Sequence, residues 1–261
     1  MTVMPDLKRL FGLTGRVALI TGSSRGLGYE MACGFAAAGA KVIVSSRKDA
    51  DCEAAAQAIR DGGGDALAIP AHVGDLAAIE LLAARIAAEI GQLDVLVNNA
   101  GAALPYGLDD VTPALWEKSF AVNARGPLFL TQALKPLLSA SPAARAGSAA
   151  IINILTIGAF FGTATQVGYG ASKAALWQIT RSLAKDLADD RIRVNAIAPG
   201  PFATRMVTAG GPALMDRSAA GTVQKRVADP AEIIGPALLL ASDAGSFITG
   251  TVIPVDGGWL T

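Results

Sequence analysis

The amino-acid sequence predicts an α/β fold, in which one doubly wound sheet of about seven parallel strands is flanked by helices on both faces. Short runs rich in Val and Ile alternate with Ala-rich segments of helical period, the pattern of a parallel sheet buried on both sides. Apolar residues make up 52% of the chain and aromatic residues only 5%, which suits small aliphatic side chains packed tightly between helices and sheet. Because α/β folds of 261 residues often form one unit, we expect a single domain, residues 1–261.

The order of the elements follows from the periodicity. Strands are predicted for the apolar runs at 16–21, 41–46, 66–71, 94–98, 149–155, 191–197 and 251–255. Helices are predicted between them, near 26–38, 50–62, 76–90, 113–138, 169–188 and 230–241.

Two segments show neither the helical nor the strand pattern of apolar residues. Residues 139–148 are small, polar and turn-forming, and are predicted to be a surface loop. The stretch from about 199 to 228 has Pro-Gly and Gly-Gly breaks and follows a predicted strand end, where open α/β sheets bind ligands. We therefore predict a substrate lid at about 201–226. Apolar residues there and after strand 149–155 favour an apolar pocket, with a subunit contact as the alternative: Phe202, Met206, Val207, Leu214, Met215, Phe160 and Phe161.

Charge and hydropathy exclude several classes of partner. Lys+Arg and Asp+Glu both number 22, so nucleic acid and anionic membranes are not expected partners. The first residues lack the apolar stretch of a signal peptide, and no apolar run approaches the roughly 18 residues that span a bilayer. A cytoplasmic protein is therefore expected.

Cysteine and histidine are too few for a disulfide framework or a metal site. Cys33 and Cys52 lie in predicted helices and are expected to be reduced packing residues. His72 is the only histidine, and no metal-ligand spacing surrounds it, so no metal is expected. A Ser-His-Asp hydrolase would depend on the same histidine, and the chain has no G-x-S-x-G turn for its serine.

A glycine-rich turn follows the first predicted strand and precedes a helix. Such a turn lets the backbone approach a pyrophosphate and presents the N–H donors and positive dipole end of the helix to it. The spacing is G-x-x-x-G-x-G instead of the commoner G-x-G-x-x-G, and a plain strand-to-helix turn is the alternative. Its place after the first strand favours a dinucleotide site formed by Gly22, Ser24, Arg25, Gly26, Leu27 and Gly28.

The end of the second strand indicates which dinucleotide is preferred. NAD-binding proteins place an Asp or Glu there, on the ribose 2′-hydroxyl, whereas this chain has Ser46 and Arg47. A guanidinium beside hydroxyl groups favours a 2′-phosphate, and Arg25 is placed to add a second positive charge. We therefore expect NADP(H) to be favoured over NAD(H); the alternative is that Arg47 is only a solvated residue at a strand end.

Tyr169 and Lys173 form a Y-x-x-x-K pair at the start of a predicted helix, and the i, i+4 spacing puts phenol and ammonium on one face. A tyrosine has an ordinary pKa near 10, so it serves in proton transfer at neutral pH only if a neighbouring cation stabilises the phenolate. Lys173 is interpreted as that cation. Taken alone, such a pair is more often a surface Tyr and Lys on an amphipathic helix.

The pair does not stand alone, because five motifs occur in order: the glycine turn, Asn98-Asn99-Ala100-Gly101, Asn123, the Y-x-x-x-K pair and Pro199-Gly200. Together they resemble the short-chain dehydrogenase/reductase family, from about residue 13 to 258. The resemblance implies a Rossmann-like sheet and an oxidoreductase that acts on CH–OH or C=O groups. It also implies that Asn98 is structural and that Asn99, Ala100 and Gly101 line the cofactor.

The same resemblance implies roles for the polar residues of the site. Asn123 would hold a water molecule in a proton relay. Tyr169 would exchange a proton with the substrate and also contact the cofactor, and Lys173 would bind the nicotinamide ribose. One departure concerns the family's catalytic serine, whose position is occupied by Thr156, thirteen residues before Tyr169. Thr156 keeps a hydroxyl that can donate to the substrate oxygen, although its methyl group narrows the pocket. The alternative is an impaired or non-catalytic site.

Further residues match the ends of the cofactor in that family. His72 stands where relatives often have an Asp beside the adenine, and it is either a hydrogen-bond partner there or a partly buried packing residue. Val73 is expected to contact the adenine through its backbone. Pro199 and Gly200 resemble the segment at the nicotinamide, with Thr204 as a partner of the carboxamide or phosphate, and residues 250–258 resemble the family's final strand.

The sequence therefore predicts an NADP(H)-dependent ketoreductase, acting on a small alcohol or ketone of the 3-oxoacyl or sugar type. The alternatives are an NAD-linked sugar or polyol dehydrogenase of the same family and a cofactor-binding protein with impaired turnover. A homotetramer is expected, because the resemblance implies helix pairing through the segments near 113–138 and 169–188 and a contact at the final strand.

Overall fold

The computed structural model of the chain describes residue 4 and residues 6–104, 106–162, 164 and 166–261, without the side chain of Met206. That side chain, predicted to lie in the lid, is therefore outside the description. The described residues form seven strands: β1 (Val17–Thr21), β2 (Lys41–Ser45), β3 (Asp65–Ala68), β4 (Val95–Asn98), β5 (Ala149–Ile154), β6 (Ile192–Pro199) and β7 (Val252–Val255). All pair in parallel, in the order β3-β2-β1-β4-β5-β6-β7, which confirms the predicted doubly wound sheet.

The connections between strands are helical. The α-helices are α1 (Leu7–Phe11), α2 (Gly26–Ala37), α3 (Asp49–Asp61), α4 (Leu76–Glu89), α5 (Pro113–Phe120), α6 (Gly126–Ser139), α7 (Pro142–Arg145), α8 (Val167–Asp186), α9 (Arg205–Thr208), α10 (Gly211–Gly221) and α11 (Ile234–Ala241). The predicted helix 113–138 is interrupted by a π-helical turn, Ala121–Arg125, which joins α5 to α6.

Two apolar layers bury the sheet on both faces. On one face, side chains from β1, β2 and β4 pack against Phe35 of α2, Ile59 of α3 and Leu240 of α11. On the other face, alternate residues of the same strands pack against Ile86 of α4 and Leu134 of α6. Because β1, β4, β5 and β6 are buried along their whole length, their sequences are mainly apolar runs, which is why these strands are readily predicted.

The order of the strands places a crevice beside β1. The chain moves from β1 outward to β3 in one direction and returns through β4 to β7 in the other. The loops after β1 and β4 therefore part at their carboxyl ends, where open α/β sheets bind ligands. The segments after β1, β4, β5 and β6 all meet at this edge of the sheet.

The prediction of a surface loop at 139–148 is wrong in part. This segment contains α7, and Ala143 and Ala144 are buried. Ser141 caps the short helix by accepting a hydrogen bond from Ala144 N at 3.0 Å. The buried carboxylate of Asp94 accepts from Ala143 N at 3.2 Å and from Val17 N at 2.9 Å, so the segment is fastened to the start of β1.

The predicted lid is not irregular, since it contains α9 and α10. Gly211 adopts φ +74° and is followed by Pro212 in the first turn of α10. The Gly-Gly pair is therefore the start of a helix and not an irregular segment. Phe202 is 2% exposed and belongs to the core, so it does not line an apolar pocket as predicted.

Among the described residues, none of the helices is both long enough and apolar enough to cross a bilayer.

Candidate active site

The glycine turn between β1 and α2 adopts a conformation that larger residues resist. Gly22 and Gly26 have φ +65° and +60°. A Cβ atom on Gly28 would lie 2.4 Å from Asn99 Nδ2 and 2.5 Å from Gly22 O, so only glycine fits this close approach. No side chain of the described residues caps the start of α2 at Arg25, which leaves the N–H donors of its first turn to a ligand. Leu27 packs on the core, and Ser24 is half-buried in the turn.

The Asn-Asn-Ala-Gly segment after β4 holds this turn in place. Asn99 Nδ2 donates to Thr21 O at 2.8 Å and to Gly22 O at 3.2 Å. The Thr21 hydroxyl accepts from Asn99 N at 3.0 Å and from Ala100 N at 3.1 Å. Asn98 points the other way and donates to Asn153 at 2.9 Å inside the sheet, in keeping with its predicted structural role. The predicted cofactor residues of this segment and of the glycine turn are thus in direct contact.

The end of β2 carries the residues predicted to meet a 2′-phosphate. Arg25 and Arg47 are exposed, and neither forms an ion pair within the described part of the chain. Ser46 is half-buried, and its N–H donates to Cys52 Sγ at 3.0 Å. Cys52 is fully buried at the start of α3. Sequence reasoning treated Cys52 as a packing residue, and no local pattern signals its contact with Ser46.

The residues predicted to meet the adenine follow β3. His72 is exposed, so its interpretation as a partly buried packing residue is wrong. Its Nδ1 accepts from Gly74 N at 2.9 Å, which leaves Nε2 for an external partner. Val73 is buried, and its carbonyl is packed so closely that a Cβ atom on Gly126 would lie 2.2 Å from it.

The segment after β6 approaches the glycine turn from the far side of the cleft. Pro199 ends β6, and Gly200 packs so tightly that an added Cβ would lie 2.7 Å from Asp256 Cα. Thr204 stands just before α9, and its Cγ2 would lie 3.7 Å from a Cβ on Gly26. The structure therefore brings Thr204 to the turn that is predicted to hold the pyrophosphate.

Asn123 lies in the π-helical turn and is fully buried. Its Nδ2 donates to Ala102 O and to Ser172 Oγ, both at 3.0 Å, and its Oδ1 accepts from Ala102 N at 2.8 Å. The side chain thus ties the segment after β4 to α8. Since π-helical turns are frequent at functional sites, the backbone of this turn is a candidate for the predicted water-holding role.

Lys173 is buried on α8 and points toward the same place. Its Nζ donates to Ile154 O at the end of β5, at 2.6 Å. A Cβ atom on Gly101 would lie 3.7 Å from Lys173 Nζ and 3.5 Å from Asn123 Oδ1. Burial lowers the pKa of Lys173 to about 8, so the side chain is mostly an ammonium at neutral pH and loses its charge as the pH rises through 8.

Tyr169 and Thr156 are the remaining predicted catalytic residues, beside Asn123 and Lys173. Burial raises the pKa of Tyr169 to about 12, and a side-chain hydrogen bond with Thr156 lowers it in part. Desolvation is the larger effect on the Tyr169 pKa in this structure, in which the Lys173 ammonium donates to Ile154 O. Tyr169 is therefore a protonated phenol at neutral pH, which suits a proton donor.

Thr156 begins a 3-10 turn, Ile157–Ala159, directly after β5. Its Oγ1 accepts from Gly158 N at 3.3 Å. A threonine hydroxyl has one proton to donate, and this contact uses only a lone pair. The proton is therefore left for a substrate oxygen.

The chain is similar to known proteins over most of its length. A family model described as enoyl-(acyl carrier protein) reductase matches residues 22–260. The chain is 38% identical over 252 residues to the rhamnolipids biosynthesis 3-oxoacyl-(acyl-carrier-protein) reductase of Pseudomonas aeruginosa, covering 95% of this chain and 98% of that protein.

Two solved structures are similar over nearly their whole length. The NADP active-site complex of RhlG from Pseudomonas aeruginosa has a TM-score of 0.92 at 38% identity, over 97% of this chain and 99% of that one. A gluconate 5-dehydrogenase from Burkholderia cenocepacia, in complex with NADP and tartrate, has a TM-score of 0.90 at 32% identity, over 98% and 99% of the two chains.

Proposed function

The chain belongs to the short-chain dehydrogenase/reductase family, and from that membership we propose that it is an NADP(H)-dependent ketoreductase that interconverts a ketone and its secondary alcohol. Members of the family are oxidoreductases that act on CH–OH or C=O groups. The observation that carries the proposal is the convergence of Thr156, Tyr169 and Lys173 beside the glycine turn, at the carboxyl ends of β1, β4 and β5.

The residues of the cleft fit a dinucleotide. A pyrophosphate would lie on the uncapped start of α2, where Gly22 and Gly28 leave no side chain in its path. Asn99, Ala100 and Gly101 would line the cofactor, and Pro199, Gly200 and Thr204 would close over it from the other side. His72 Nε2 and the Val73 backbone would meet the adenine.

Three polar residues at the end of β2 and in the glycine turn support NADP(H) over NAD(H). Ser46 and Arg47 follow β2 and Arg25 stands in the glycine turn, where they would meet the ribose 2′-phosphate, and no acidic residue takes the position at the end of β2 that would bind a 2′-hydroxyl. The two structural relatives described above are complexes with NADP, which supports the same preference.

The chain's own residues perform the proton chemistry, while the bound nicotinamide supplies or accepts the hydride. Tyr169 donates its proton to the substrate oxygen during reduction and takes it back during oxidation. Thr156 donates a hydrogen bond to the same oxygen as negative charge develops on it. Lys173 holds the ribose and, as an ammonium, stabilises the phenolate that remains, and Asn123 positions the water that restores the proton.

An assay of NADPH consumption with a panel of ketones tests the proposal. Steady oxidation of NADPH that yields the alcohol is the expected result. Binding of NADPH without consumption would instead indicate the cofactor-binding protein with impaired turnover, whereas a strong preference for NADH would favour the NAD-linked sugar or polyol dehydrogenase.

We also infer a homotetramer, working in the cytoplasm, with residues 201–226 as its substrate lid. The edge strand β7 leaves Val252, Ile253 and Val255 partly exposed, and Phe129 on α6 is 38% exposed, so two apolar surfaces are available for subunit contacts. Light scattering at micromolar concentration tests the tetramer, and a monomeric mass would refute it.

A further inference from the structure

An aromatic pair joins two distant parts of the chain, the segment that follows Thr156 and the tail after β7. Phe161 follows the 3-10 turn that Thr156 begins, and Trp259 lies in the tail after β7. Their rings stack with centroids 6.4 Å apart and an interplanar angle of 16°. Phe161 is nevertheless 38% exposed, so part of its side chain remains accessible to a ligand.

The tail is built to hold Trp259 in this position. Asp256 uses both carboxylate oxygens on the tail itself, accepting from Gly258 N at 2.9 Å and from Leu260 N at 3.0 Å. The Trp259 ring lies against the end of α10, where a Cβ atom on Gly221 would be 2.1 Å from it. Trp259 therefore bridges the predicted lid and the segment that carries Thr156.

The segment that carries Phe161 has no charged residue to pair with an anionic substrate. From residue 146 to residue 172 the sequence contains no Lys, Arg, Asp or Glu. The Asp256 carboxylate is occupied by the tail, and Arg226 is paired with Glu232 at 2.6 Å. The remaining cations of the lid are Arg205, Arg217 and Lys225, which are exposed, and Lys225 Nζ donates to Ala220 O at 2.9 Å.

We propose that the Phe161–Trp259 pair binds the non-reacting part of the substrate, and that this part is an uncharged alkyl or aryl group rather than a polyhydroxy acid. The inference rests on the proposed ketoreductase function and names the substrate class of the same site. An apolar chain leaving the carbonyl between Thr156 and Tyr169 would run along the two rings, which remain partly exposed until it covers them.

Three carbonyl probes test this assignment in the NADPH assay. Ethyl acetoacetate and ethyl 3-oxooctanoate share one reacting group and differ by four methylenes, and 5-keto-D-gluconate is a charged polyhydroxy ketone. Each fully buried methylene is worth about fourfold, so kcat/KM should rise by at least about tenfold from the shorter to the longer ester. 5-Keto-D-gluconate should be the poorest of the three substrates.

Variants of the aromatic pair test whether Phe161 and Trp259 cause the dependence of kcat/KM on chain length. Phe161→Ser and Trp259→Ala should each lower kcat/KM for ethyl 3-oxooctanoate by about tenfold and leave ethyl acetoacetate within about threefold. Phe161 is exposed enough for its variant to fold even if Trp259→Ala does not. Phe247→Ala is the matched control, because Phe247 is a fully exposed aromatic residue before β7, at the opposite edge of the sheet, and should change neither ester.

The outcomes separate the two levels of the proposal. Turnover without dependence on chain length, equal losses on both esters for Phe161→Ser, or a preference for 5-keto-D-gluconate would overturn the apolar substrate and leave the ketoreductase standing. The last result would point to Arg205, Arg217 or Lys225 as the partner of the carboxylate. No turnover of any carbonyl would overturn both proposals.

Discussion

Replacing Thr156 by alanine should slow ketone reduction by about a hundred- to a thousandfold and leave the affinity for NADPH unchanged. The hydroxyl accepts from Gly158 N at 3.3 Å, so its proton is free to donate to the substrate oxygen. Removal of one such donor typically costs about 2.7–4 kcal/mol of transition-state stabilisation. The cofactor would lie on the glycine turn and Asn99–Gly101, which do not depend on this hydroxyl.

Thr156→Ser is the matched control. Serine keeps both the acceptor for Gly158 N and the donor for the substrate, and removes only a methyl group, so turnover should stay within about tenfold of the parent. Single-turnover rates at saturating NADPH, together with the dissociation constant of NADPH, separate chemistry from binding. If Thr156→Ala reduces ketones at the parental rate while Tyr169→Phe is inactive, the hydroxyl is dispensable and the assigned role is wrong.

Three further results follow from the geometry. As the pH rises through 8, Lys173 (pKa about 8) loses its charge while Tyr169 (pKa about 12) stays protonated. For this reason kcat/KM for reduction should be constant below about pH 7 and fall as the pH rises through 8. A kcat/KM that keeps rising to pH 10 would contradict this expectation. Arg47→Ala should weaken NADPH binding by about ten- to a hundredfold and leave NADH binding unchanged in titrations, with Arg85→Ala on α4 as the inert control. Gly28→Ala should lower the free energy of unfolding by about 1–3 kcal/mol in urea, since its Cβ meets Asn99 Nδ2 at 2.4 Å, whereas Gly235→Ala in α11, which meets nothing within 4 Å, should be neutral or stabilising.

The parts of the fold that could be predicted are those in which local sequence and burial agree. The strands of the parallel sheet coincide with apolar runs of the sequence. For this reason β1 to β7 begin and end within three residues of their predicted bounds. The turn from Gly22 to Gly28 is equally readable, because its conformation and close contacts exclude larger residues.

The parts that could not be predicted depend on contacts between distant residues or on small backbone changes. A π-helical turn at Asn123 adds a residue to the helix without altering its polarity pattern, so 113–138 is predicted as one helix. The Gly-Gly break at 210–211 looks like the end of structure, yet Gly211 and Pro212 start a helix.

The same limit applies to the chemistry of the site. The spacing of Tyr169 and Lys173 predicts that the two groups lie close together, but burial, which sets both of their pKa values, depends on the whole fold. Trp259 meets Phe161 only because the tail after β7 returns across the lid. The sequence motifs therefore predict the reacting groups, whereas the contact between Phe161 and Trp259 is visible only in the structure.

The most direct test of the central claim compares the parent protein with Tyr169→Phe in one assay, using NADPH and ethyl 3-oxooctanoate and a parallel titration of NADPH binding. The parent should oxidise NADPH with formation of one alcohol per NADPH consumed. Tyr169→Phe should still bind NADPH through the glycine turn and Asn99–Gly101 but lose about a thousandfold or more of the rate, because the phenol is the proton donor. A Tyr169→Phe variant that reduces the ketone at the parental rate would contradict the assignment of Tyr169, and with it the proposed mechanism.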